Sequence, residues 1–111
     1  MIDQRLLYKL LGEKIKDARL GKKPRLTQEE LARKLGVKRT SITNIEKGIQ
    51  KPPIHIIYKL CAIFKMEIHD VLPTVGDVLE IDTKLRLKGF NPVNVPPSVA
   101  QVINKRIISN D

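Results

Sequence analysis

The chain has 111 residues, 41% of them hydrophobic, with one cysteine and a net charge of +9. That is room for one domain and an appendage, with a small core and too much apolar content for a disordered chain. No apolar run approaches the roughly 18–20 residues needed to cross a bilayer, and Cys61 has no second cysteine with which to form an internal disulfide.

The N-terminal stretch MIDQRLLYKLLGEK has an early acid and lacks the small-residue cleavage site of a signal peptide, so a cytoplasmic protein is expected. Leu6, Leu7, Leu10, Leu11, Ile15 and Ala18 recur at three- and four-residue steps, which predicts a first helix over residues 3–20. Gly21 and Pro24 should end it. Thr27 followed by Glu30 reads as a capping box, opening a second helix over 28–35 that buries Leu31, Ala32 and Leu35. Gly36 then suits a left-handed turn position, and Val37 can plug the corner. A third helix is expected from near Lys38 to Lys47-Gly48, burying Ile42 and Ile45 and turning Arg39, Thr40, Thr43 and Asn44 outward.

After the loop IQKPP, a fourth helix is expected over 54–64, with Ile57, Leu60, Cys61 and Phe64 inward, and a short fifth over 68–72 before Pro73. Beyond residue 73 the pattern changes. In LEIDTKLRLK, Leu79, Ile81, Leu85 and Leu87 alternate with charged residues, and this period of two predicts a half-buried strand or hairpin over 79–88. The loop GFNPVNVPP follows. A second capping box at Ser98–Gln101 then leads a last helix with Val99, Val102, Ile103 and Ile107 on one face. The expected organisation is therefore residues 1–73 as one unit and 74–111 as an extension.

The charge is lopsided. Residues 1–51 hold 14 basic and 6 acidic side chains, a net of +8, while residues 52–111 net only +1. A one-sided basic unit suggests a polyanionic partner. Within it, two short helices joined by a glycine-containing turn form a helix-turn-helix. The second helix of such a pair projects, and a projecting helix fits the roughly 12 Å major groove of B-form DNA.

The stretch TQEELARKLGVKRTSITNIEKG, with Pro53, Leu60 and MEIHDVL after it, resembles the Cro and phage-repressor type of helix-turn-helix domain (XRE-type, lambda-repressor-like). The likeness covers about residues 10–73. It rests on Gln28, Ala32, Gly36, Ile42, Ile45, Glu46 and Gly48. It implies a mainly α fold, a five-helix bundle that binds operator DNA, usually as a dimer; the strand or hairpin and last helix of 74–111 would be added to it. It implies that Gln28 contacts a phosphate, that Arg39, Thr40 and Asn44 touch bases, and that Lys38, Ser41 and Thr43 flank them. Arg19 and Glu46 match a pair that ties the first helix to the third.

The side-chain chemistry agrees with those roles. Arg can pair bidentately with guanine, and Asn with adenine. Lys47, Lys51, Lys22, Lys23 and Arg25 would add salt-sensitive attraction to phosphates. The connection LGKKPR is about two residues longer than is common in that family. Its cations are either a further backbone contact or a solvated loop.

No other chemistry is expected. His55 and His69 have no partners at metal-ligand spacing, so no zinc site is expected. No phosphate-cradling glycine loop and no nucleophile elbow occur. Cys61 lies in an apolar helix pattern without flanking cations, as a core cysteine does. Neither enzymatic activity nor a cofactor is expected. The sequence leaves three roles for 74–111: a homodimer interface, packing onto its own domain, or docking of another protein, as in antitoxins. The functional expectation is a DNA-binding regulator, most simply a repressor, against a protein-interaction module.

Overall fold

The computed structural model describes residues 3–90. Among them are six helices and no strand: α1 (Gln4–Gly21), α2 (Gln28–Leu35), α3 (Arg39–Glu46), α4 (Ile54–Phe64), α5 (Ile68–Val71) and α6 (Val75–Leu87).

Local sequence explains the boundaries. The Asp3 side chain accepts from the Arg5 amide and caps α1. At α2, Thr27 Oγ1 accepts the Glu30 amide at 3.0 Å, and Glu30 returns the bond by accepting the Thr27 amide at 3.1 Å. That bond from the Thr27 amide also holds the Glu30 carboxyl below its usual pKa. Gly36 ends α2 at φ +72°, a region closed to most side chains, and its amide reaches back to the last turn of α2. Only one residue, the α3 N-cap Lys38, separates Val37 from α3, so the chain turns sharply and α3 crosses α2.

The principal core lies between α1, α2, α3 and α4. Leu11 and Ile15 of α1 meet Leu31, Ala32 and Leu35 of α2, Ile42 and Ile45 of α3, and Ile56, Ile57, Leu60 and Cys61 of α4. Val71 closes one end, and Val37 packs on the cluster from the turn. Burial pushes the Cys61 thiol above its usual pKa, which keeps it protonated and inert at neutral pH.

Two glycines set how closely the helices approach. A Cβ on Gly12 would sit 2.6 Å from the Glu46 carbonyl oxygen, so α1 lies directly against the last turn of α3. A Cβ on Gly48 would sit 2.7 Å from Lys9 Cα, and Gly48 also has φ +78°. Side chains at these positions would lever α3 away from α1.

The strand expected over 79–88 is a helix instead. Thr74 caps α6 by accepting the Asp77 amide at 3.0 Å. Val78, Ile81 and Leu85, spaced three and four apart, form a second buried cluster with Leu6 and Leu10 of α1. Ile81 and Leu85 belong equally to a period of two and to a helical i,i+4 step, so alternation alone misreads this segment. The charges decide between them: Lys84 pairs with Glu80 at 2.7 Å and Arg86 with Asp82 at 3.0 Å, both i,i+4. Leu79 and Leu87, assigned to the buried side of a strand, are 39% and 82% exposed. The expected last helix with its Ser98–Gln101 capping box lies outside the described residues.

Candidate nucleic-acid interface

The outer side of α3 is built on a buried polar anchor. Arg19 from α1 and Glu46 from α3 meet in a two-pronged ion pair, Nε to Oε2 at 2.7 Å and Nη2 to Oε1 at 3.0 Å. They are 7% and 4% exposed. Arg19 Nη1 donates to the Leu26 carbonyl at 3.1 Å, so the same guanidinium also holds the entry to α2. The fork of Arg suits this bidentate geometry, and the extra bonds offset desolvation.

Gln28 joins this anchor. Its Nε2 donates to Glu46 Oε1 at 3.0 Å, while its Oε1 lies 3.0 Å from Thr43 Oγ1. The Thr43 hydroxyl is also 3.2 Å from the Arg39 carbonyl oxygen, and its single proton can serve only one of the two acceptors. Gln28 and Thr43, both half-buried, thus stitch α2 to α3. The sequence expectation had them as contact residues only. Their additional partnership across the two helices was invisible there because it depends on the crossing angle.

The remaining candidates divide by exposure. Lys38, Arg39, Thr40 and Lys47 are exposed, and Ser41 and Asn44 are half-buried. Ile42 and Ile45 are 1% and 4% exposed, so the opposite face of α3 is fully committed to the core. Lys38 caps α3 without a side-chain hydrogen bond, which leaves the first amides of α3 open to an external acceptor. At the other end, the Asn44 carbonyl accepts from the amides of Ile49 and Gln50 at 2.9 and 3.1 Å, holding the turn past Gly48.

Lys51 is placed differently from its neighbours. Its Nζ donates to Gln4 Oε1 at 2.7 Å and lies 5.5 Å from the centre of the Tyr8 ring. It therefore clamps the loop after α3 to the start of α1, a role that neither charge nor spacing announced. Lys22 is also engaged, donating to the Ile63 carbonyl at 3.0 Å.

Two clefts flank Gln28. One, of about 500 Å³, is lined by Arg25, Thr27, Glu29 and Arg39. The other, of about 380 Å³, is lined by Lys9, Glu13, Lys16, Thr43 and Lys47. Glu13 is 7% exposed, and burial raises its carboxyl pKa above the ordinary 4.5. Asp17 and Glu46 push the same way, against Lys16 and Lys9. A raised carboxyl pKa means that the folded chain binds this proton more tightly than the unfolded chain. Its contribution to stability therefore declines as pH climbs through 4.5 and the raised folded value. Glu13→Gln is expected to melt above the parent at pH 7 and to lose that advantage in acid below 4.5, as followed by circular dichroism at both pH values.

Among the described residues no three His, Cys, Asp or Glu side chains gather where they could hold a metal ion, and no helix is long and apolar enough to cross a membrane.

An uncapped, projecting helix with cationic and amide side chains, locked to its scaffold by a buried ion pair, defines a DNA-binding helix-turn-helix. Residues 15–71, about half of the chain, match the family model described as helix-turn-helix. The chain belongs to this Cro/repressor-type family of DNA-binding transcription regulators, which are not enzymes. It is 44% identical over 46 residues to an uncharacterised transcriptional regulator of this type from Archaeoglobus fulgidus, a match covering 41% of this chain and 66% of that one. A relative from Methanocaldococcus jannaschii is 46% identical over 46 residues, 41% of this chain and 70% of its own. The chain spans just under two thirds of the length of the Archaeoglobus relatives, 66% and 65%. The crystal structure of a hypothetical transcription factor from Neisseria is similar, with a TM-score of 0.54 and 25% identity over 79% of this chain and 90% of that one.

Proposed function

We propose that this chain is a sequence-specific transcription regulator that binds a pseudo-palindromic operator as a homodimer and represses by occluding a promoter. The observation that carries the reading is the division of α3: Ile42, Ile45 and Glu46 buried, Lys38, Arg39 and Thr40 exposed on the opposite side. In this reading α3 lies in the major groove. Arg39 and Asn44 make bidentate contacts with base edges, and Thr40 offers a hydroxyl and a methyl. Gln28, Lys38, Ser41, Thr43 and Lys47 border the groove, and Lys51, whose Nζ donates to Gln4, keeps further N–H donors for a phosphate. The homodimer contact is assigned to residues 74–111. The inner face of α6 is already occupied by α1, so the outer side with Val75, Leu79, Leu87 and Phe90 is what remains.

Selection of bound duplexes from a random pool tests this reading. A selected site should bind ~10³-fold or more tighter than random DNA. It should contain two inverted half-sites about one helical turn, ~34 Å, apart. Arg39→Ala and Asn44→Ala should each remove about 1–3 kcal/mol of discrimination at one base pair per half-site, roughly 5- to 150-fold. No enrichment, or variants that select the same site with the parent's affinity, would refute the assignment.

A second reading is favoured by the exposed apolar side chains of α6 and its end, Val75 at 64%, Leu87 at 82% and Phe90 at 41%. There the domain is a protein-interaction module, such as an antitoxin, whose extension binds a partner protein.

A further inference from the structure

The side of α6 turned away from α1 carries features that packing within one chain does not use. Of the seven large hydrophobic side chains left exposed among the described residues, four lie on α6 or just past its end: Val75, Leu79, Leu87 and Phe90. Leu79, Thr83 and Leu87 follow at four-residue steps and form one exposed stripe, because Val78, Ile81 and Leu85 take the other side to α1. Gly76 lies on the same stripe, in the first turn. A Cβ there would meet only Thr74 Oγ1, at 3.9 Å, so no close neighbour within the chain requires a glycine at that point. It weakens the helix relative to alanine, and it leaves the stripe bare where another chain can come close.

The charges along α6 are sorted by end. Asp77, Glu80 and Asp82 precede Thr83 with no base among them, and Lys84, Arg86 and Lys88 follow it with no acid. The helix dipole favours that order, and the i,i+4 pairs Glu80–Lys84 and Asp82–Arg86 use it. It also makes α6 complementary to itself in one direction only. A parallel copy would set acids beside acids and bases beside bases. An antiparallel copy sets the acidic half of each helix against the basic half of the other. Glu80, Lys84 and Arg86 keep more than half of their side-chain surface open, so each can reach a second helix while paired within its own.

We propose that two copies of this chain pair through the outer side of α6, antiparallel about a twofold axis at Thr83. Thr83 is four residues from both Leu79 and Leu87, about 6 Å along the helix in each direction. The axis therefore sets each Leu79 against the partner's Leu87. It brings the bare first turn at Gly76 level with the end of the partner's α6, where Phe90 follows the turn at Gly89. On one flank Glu80 meets the partner's Lys84, and on the other Asp82 meets the partner's Arg86; symmetry makes each contact twice. Val78, Ile81 and Leu85 fasten α6 to α1, so the contact joins whole domains rather than two loose helices. The inference rests on the homodimer reading above and gives it a surface, a direction and an axis. α6 lies beyond residues 15–71, which match the family, so the contact belongs to the extension of this chain.

The test uses the full chain, free and on a selected duplex, with sedimentation at about 50 and 300 mM salt. The free parent should be a dimer whose dissociation constant rises with salt, because exposed ion pairs are screened. Leu87→Glu should raise that constant roughly tenfold or more, since an apolar contact is lost on both sides of the axis. Leu87 is 82% exposed, so the variant should keep the parent's circular dichroism spectrum. Glu80→Lys and Lys84→Glu should each weaken self-association, and a mixture of the two should associate more tightly than either alone, because opposite charges then meet across the pair. Oxidised glutathione should link Thr83→Cys into a dimer, and should link Leu79→Cys only when it is mixed with Leu87→Cys; the native Cys61 is buried. A dimer unaffected by Leu87→Glu, or a Leu79→Cys chain that links to itself as readily as Thr83→Cys, overturns the antiparallel α6 pair and leaves a homodimer joined elsewhere. A parent that stays monomeric both free and on the duplex overturns the homodimer as well and gives the stripe to a different protein.

Discussion

Glu46→Ala should lower the unfolding free energy by about 3–5 kcal/mol, because it leaves a buried charge without its partner. Both carboxylate oxygens are engaged by Arg19, and Oε1 also accepts from Gln28. With the carboxylate gone, the Arg19 guanidinium, 7% exposed, keeps only the Leu26 carbonyl. Gln28 loses its acceptor as well, and with it the strut that fixes Thr43. Glu46→Gln retains an oxygen for one donor and should lose less. Urea unfolding of the three proteins gives the ranking directly; a loss under about 1 kcal/mol for Glu46→Ala would mean that the pair contributes nothing beyond its packing. The effect on stability should appear without any DNA present, which separates it from the effect of Arg39→Ala, an exposed residue whose loss should leave unfolding nearly unchanged.

Ile81→Ala should cost about 2–5 kcal/mol, the usual range for truncating a buried branched side chain. Ile81 is 2% exposed in the cluster with Leu6, Leu10, Val78 and Leu85. Leu79→Ala, at a position 39% exposed, should cost within about 0.5 kcal/mol. The contrast is informative because the two residues would share one face of a strand and lie on different faces of α6. Equal losses at the two positions would contradict the helix and restore the alternating reading. The same measurement bears on the extension as a whole: a large loss at Ile81 means that residues 75–87 are part of the folded unit through α1, whatever surface they also offer to a second chain.

The parts of the structure that were legible in the sequence are those governed by interactions over three or four residues. Thr27 and Glu30 sit at a spacing that closes a capping box whatever surrounds them. Gly36 ends α2 because the positive φ required there is strained for a residue with a Cβ. Ile42 and Ile45 identify the inner face of α3, and by exclusion Arg39 and Thr40 its outer face. The family resemblance gave the pairing of Arg19 with Glu46, which periodicity alone would not have suggested across 27 positions.

What stayed hidden depends on which surfaces meet. Leu79, Ile81, Leu85 and Leu87 satisfy a period of two, and a period is only a statement about one segment. The hydrophobic face of α1 is longer than one core needs: Leu11 and Ile15 serve the first cluster, leaving Leu6 and Leu10 to be covered. A helix presenting Val78, Ile81 and Leu85 covers them, and the i,i+4 ion pairs of Glu80 with Lys84 and Asp82 with Arg86 agree with that choice. The tasks of Gln28, Lys22 and Lys51 were unreadable for the same reason, since each side chain reaches a different element.

The sequence by itself determined where α2 begins and stops, which side of α3 is apolar, and that the first half of the chain is strongly cationic, because caps, turns and charge are local properties. Only the tertiary structure decided that α1 and α3 touch at Gly12, that α6 is a helix lying on α1, and which cations face solvent and which are spent on the protein's own carbonyls. Those outcomes follow from the distances between elements far apart in the chain, which no short-range pattern encodes.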